Sequence, residues 1–128
     1  MIYWEVMRDC LPILLDRDKA CVWCGREANG KFGGWTMEHI LPSSRGGTSG
    51  IANLALACSS CNSTRKSHPA ADYAIKIARR NGEPNFILLF TVLERLVQEG
   101  TAKEQEYATK QLKRLKDWSE QYERWGMC

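Results

Sequence analysis

Apolar side chains recur at helical spacing near the start of the chain (Val6, Met7, Cys10, Leu11, Leu14, Leu15), so residues 3–17 are expected to form a helix. Pro12 should kink that helix or open a second short one. A Gly-rich polar stretch follows from Gly25, and then Trp35 to Leu41 (WTMEHIL) reads as a short strand stopped at Pro42. Ser43 to Gly50 is Ser, Gly and Thr around a single Arg45, which is the composition of a surface loop. Ile51 to Ala57 is expected to be a second short strand or extended segment.

Beyond that point the pattern is helical. One helix should start around Cys58 to Cys61, and another opens at Pro69 and stops at Asn81-Gly82. A third covers about 85–98 and ends at Gly100. Thr101-x-x-Glu104 is a capping box opening a long helix, along which Ala108, Leu112, Leu115, Trp118, Tyr122 and Trp125 recur every three or four positions. That seam is expected to dock on the helix at 85–98, with a homodimer paired through it as the alternative. The class is α+β, mostly helical, in one compact unit: residues 1–68 as a core with a leading helix, and residues 69–128 as a C-terminal helical extension.

Composition narrows this reading only slightly. The longest nearly uncharged apolar stretch, Phe86 to Leu93, falls far short of the roughly 20 residues of a membrane span. The first eight positions mix acidic and basic residues and resemble no signal peptide, so a cytoplasmic, bacterial or phage-encoded protein is expected. Formal charge is +3, with eight basic and six acidic residues in 1–71 and ten and nine in 72–128. No basic tail advertises a nucleic-acid partner.

The cysteines are more informative. Four of the six form Cys21-x-x-Cys24 and Cys58-x-x-Cys61, separated by 33 residues. A two-residue gap lets both sulfurs of a pair turn onto one ion at ~2.3 Å, so the four thiolates predict a closed, structural Zn²⁺ site with no open position for substrate. Cys10 and Cys128 are left over and read as a small buried hydrophobe and a terminal thiol.

Between the two pairs lie Glu38-His39 and Asn53, and Asn62 follows the last cysteine. A histidine, with a reference pKa of ~6.5, suits deprotonation of a water near neutral pH. A carboxylate and an amide oxygen suit a hard cation such as Mg²⁺. The order Cys-x-x-Cys-Gly, Glu-His-Ile-Leu-Pro, Gly-Gly-Thr, Asn-Leu, Cys-x-x-Cys-Asn, with Lys66 beyond, resembles the zinc-containing HNH endonucleases over residues 17 to 67. The resemblance implies a ββα-metal (His-Me finger) core and hydrolysis of DNA phosphodiesters to 5′-phosphate and 3′-hydroxyl ends. It also implies His39 as general base, Glu38 and Asn62 as ligands of a catalytic Mg²⁺ or Mn²⁺ ion, and Asn53 as the residue that holds the loop and orients the base. The family more often has Asp or His at Glu38 and His at Asn62.

Two further expectations come from helix and strand geometry. On a helix starting near Cys61, Asn62, Arg65 and Lys66 share a face, so Arg65 and Lys66, with Arg45 from the loop, are candidate DNA-phosphate contacts. In a regular strand Glu38 and His39 point to opposite sides, so the strand must twist or end for both to reach one site. His68 reads as a helix-cap residue, and Trp23 and Trp35 as packing around the zinc knuckle rather than as base-stacking platforms. The rival to a nuclease is a non-catalytic four-cysteine module binding nucleic acid or a partner protein. A third reading is an enzyme inactivated by Glu38.

Overall fold

The computed structural model describes residues 3–30, 33–81 and 86–126. Among them a two-stranded antiparallel sheet is surrounded by five α-helices, an α+β fold that is mostly helical. The first is α1 (Tyr3–Asp18), which runs through Pro12 without a break. Pro12 is on the exposed side, so the carbonyl deprived of its N–H partner can turn to water; of the two alternatives, a kink or a second short helix, the second helix does not form.

The sheet pairs β1 (Trp35–His39) with β2 (Leu54–Cys58), from Trp35 opposite Cys58 to His39 opposite Leu54. β2 starts later than expected because Ile51–Asn53 winds into a 3-10 turn, and the bond from Ile40 N–H to the Asn53 carbonyl (2.9 Å) continues the pairing past the strand end. The other edge of β2 is closed by the end of α1. Arg17 donates to the Leu54 carbonyl at 2.7 Å, Asp18 accepts from Leu56 N–H at 2.9 Å, and Val22 N–H reaches the Leu56 carbonyl. No ladder edge of β2 is left open in this stretch.

Cys58 caps α2 (Ser59–Arg65), its sulfur accepting from Cys61 N–H. Then come α3 (Ala70–Asn81), α4 (Ile87–Glu99) and α5 (Ala102–Gly126). The Asn81-Gly82 stop falls at the end of α3, with Gly82 outside the described residues, as is Cys128. Along α5, Ala108 and Leu115 are fully buried and Leu112 and Trp118 pack on the same core, so this part of the seam faces α3 and α4 of its own chain. The side chains of Tyr122 and Trp125 lie outside the described residues. Two α5 side chains also cap α3: Tyr107 OH accepts from Ala70 N–H at 2.9 Å and the Gln111 amide oxygen from Ala71 N–H at 2.8 Å. These satisfy N–H groups that a helix start leaves without partners.

Candidate active site

Each cysteine pair is presented by a tight local structure. The first sits in a knuckle in which Cys21 N–H bonds the Arg26 carbonyl and Gly25 N–H, at φ +79°, bonds the Cys21 carbonyl. The second straddles the β2 to α2 junction. All four sulfurs lie within 4.8 Å of one another, and Cys24 and Cys58 are 3.9 Å apart. A tetrahedral zinc site with ~2.3 Å bonds needs sulfurs about 3.8 Å apart, so the donor set fits the ion. Among the thiols, Cys21 is held down to about 5, chiefly by the hydrogen bond with Cys61, while burial pushes Cys24 up to about 11. One thiolate is readily accommodated in this cage; four need a dication.

His39 ends β1 half-buried, with its Nε2 3.1 Å from the Ser49 hydroxyl. Burial is the largest influence lowering its pKa; the Arg65 charge adds to this and Glu104 opposes it. The imidazole is therefore held toward its neutral, proton-accepting form.

The loop facing His39 is clamped by Asn53, which is completely buried. Its Oδ1 accepts from Leu41 N–H at 2.9 Å, and its Nδ2 donates to the carbonyls of Leu41 (3.0 Å) and Thr48 (2.8 Å). Gly47 makes the clamp possible, because a Cβ there would stand 1.8 Å from the Leu41 oxygen and 2.9 Å from Asn53 Nδ2. Gly47→Ala is expected to cost at least the 1–3 kcal/mol of an overpacked site and to loosen the Asn53 contacts. Amide exchange at Leu41 would measure this, and unchanged protection would count against it.

Glu38 points to the other side of β1. Glu38, expected from the resemblance to hold a catalytic ion, is buried, and its carboxylate is engaged at both oxygens. Oε1 accepts from Arg65 Nη1 at 2.9 Å and Oε2 from the Trp23 indole N–H at 3.0 Å. Burial raises the Glu38 pKa, with Arg65 and Trp23 opposing, so this carboxylate needs its partners to stay charged. A dication on Glu38 would compete with the Arg65 guanidinium and the Trp23 N–H for the same two oxygens.

Arg65, expected as a DNA-phosphate contact, has a wholly buried side chain. All five of its N–H donors are used. Nε bonds the His68 carbonyl (2.7 Å), Nη1 bonds Glu38 and the His39 carbonyl (2.7 Å), and Nη2 bonds the Ile40 carbonyl (2.7 Å) and Tyr107 OH (3.3 Å). The guanidinium also lies 5.1 Å from the Trp23 ring centroid, and Trp23 meets Tyr73 edge to face, so Trp23 packs rather than stands free for a base. Trp35 is buried as well, under Arg26.

The face expected to unite Asn62, Arg65 and Lys66 does not form, because α2 ends at Arg65 and Lys66 leaves the helix at φ 53°, ψ −127°. Asn62 is half-buried; Lys66, His68 and, in the 3-10 turn Ser43–Arg45, Arg45 are exposed. Sequence reasoning missed Ser49, Tyr107 and the loop contact of Glu104, whose only local signal was the capping box.

The HNH endonuclease family model matches residues 21–68 of this chain, the segment from Cys21 to the end of the Arg65 network. Comparison with curated proteins gives no match, nor does comparison with solved structures.

Proposed function

Taking residues 21–68 as the HNH domain they match, we propose that the protein is an endonuclease hydrolysing DNA phosphodiester bonds with His39 as the general base. The observation that carries this reading is the placement of His39: half-buried at the end of β1, its pKa lowered by burial and Arg65, and facing a loop held from its interior by Asn53. Such a ring can take a proton from a water poised beside a phosphate, while Ser49 on Nε2 fixes its orientation. Asn53 acts at one remove, by fixing the loop. Exposed Lys66 and Arg45 are the cations offered to the DNA backbone, each contributing about one unit to the salt dependence of binding.

The Mg²⁺ or Mn²⁺ ion implied by the resemblance would compete with Arg65 and Trp23 for the Glu38 carboxylate. The same observation favours a second reading, a zinc-stabilised module that binds DNA without cutting it. Residues 69–128 serve as a helical extension of the 1–68 core, and an intracellular, cytoplasmic setting suits the thiol-rich site.

The pH profile of plasmid nicking separates the two readings. With zinc-loaded protein and Mg²⁺, Mn²⁺ or EDTA, kcat/KM should rise with pH as His39 loses its proton. The midpoint of that rise should lie below the ~6.5 of free imidazole, because burial and Arg65 lower the His39 pKa. DNA retention without nicking in any of the three conditions would establish the binding module instead.

A further inference from the structure

Glu104 lies beyond the HNH-matched segment, yet it is 2% exposed and reaches back 56 residues in sequence to the loop that faces His39. Its Oε1 accepts from Thr101 N–H at 2.9 Å, as the capping box requires. Its Oε2 does something a cap does not need, accepting from both the N–H and the hydroxyl of Thr48 at 2.7 Å. Short hydrogen bonds to a carboxylate are roughly twice as strong as neutral ones. Hydrogen bonding to Thr101 and Thr48 outweighs burial and keeps the Glu104 pKa below the usual carboxylate range.

Thr48 is thus gripped on two sides, by Glu104 at its N–H and hydroxyl and by Asn53 at its carbonyl. The next residue is Ser49, whose hydroxyl meets His39 Nε2. We propose that Glu104 is a positioning residue for His39: through Thr48 it fixes Ser49, so that the first turn of α5 completes a site whose other parts lie in the HNH segment. This rests on the nuclease reading of His39. The capping box would put Glu104 at this helix start regardless; the second carboxylate oxygen gives it the additional role.

The test uses the full zinc-loaded chain with three substitutions. Glu104→Gln keeps the shape but turns an N–H₂ toward Thr101 N–H or Thr48 N–H. Thr48→Val removes one of the bonds from an exposed loop residue and should fold. Thr101→Ala weakens the cap, whose hydroxyl accepts from Glu104 N–H at 3.3 Å, without touching Thr48. Expected for Glu104→Gln and Thr48→Val are faster Thr48 amide exchange, a shifted His39 ring resonance, and a kcat for plasmid nicking about 10- to 100-fold lower at unchanged KM, the scale of a displaced catalytic group. Thr101→Ala should lower Tm but leave all three readouts in place. Equal effects from Thr101→Ala and Glu104→Gln, or an unmoved His39 resonance in both Glu104→Gln and Thr48→Val, would overturn the proposal. Should the wild type not cut DNA, the exchange and resonance changes alone decide it, so failure of the nuclease reading remains distinguishable.

Discussion

Stripping zinc with a strong chelator, or replacing Cys21 by Ser, is expected to unfold the sheet and α2 rather than only slow a reaction. The four cysteines are the point at which the knuckle, the end of β2 and the start of α2 meet, and all four sulfurs are within 4.8 Å. Structural zinc sites supply about 10–16 kcal/mol of apparent binding free energy, which rivals the ~5–15 kcal/mol that holds a whole domain together. Trp23, buried next to Cys24 and stacked edge to face on Tyr73, reports the change directly. The tryptophan fluorescence of the chain, to which Trp23 is one of five contributors, should shift to the red on chelation and return with added Zn²⁺. A metal-free chain that melts cooperatively at the same Tm would contradict the assignment of this cluster as the anchor of the fold.

Arg65→Ala is the second large effect expected. It would leave the Glu38 carboxylate buried with one partner and strip the carbonyls of His39, Ile40 and His68 of their donor. Breaking a buried ion pair from one side costs about 3–5 kcal/mol, because the remaining charge stays out of water. Arg65→Lys should recover little of this, since an ammonium cannot reproduce a five-donor planar fork. Glu38→Gln should be milder, as its amide oxygen can still accept from Arg65. Urea unfolding measures all three. A loss under about 0.5 kcal/mol for Arg65→Ala, the range of ordinary surface changes, would mean that the network does not hold the end of β1.

What the sequence made legible was whatever is encoded by local spacing. The paired cysteines, the strand at Trp35, the helix at Cys58 and the capping box at Thr101 each occupy a few consecutive positions, and each is found in the structure. Strand alternation also implied that Glu38 and His39 would face apart, and they do: one bonds Arg65 and Trp23, the other Ser49. The partners themselves were not legible. Glu38 meets Arg65 across 27 residues and Thr48 meets Glu104 across 56, and nothing in a one-dimensional pattern distinguishes a helix-face arginine that points to solvent from one that points inward. Lys66 shows the same limit, since its departure from helical geometry at φ 53° separates it from the face it should have shared.

Whether His39 is the base of a DNA-cutting site is decided by supercoiled plasmid incubated with zinc-loaded wild type and with folded His39→Ala. Expected are conversion to open-circle or linear DNA by the wild type and its loss, by at least the about 10²-fold of a missing general base, in the variant. Equal conversion by the two proteins would contradict it.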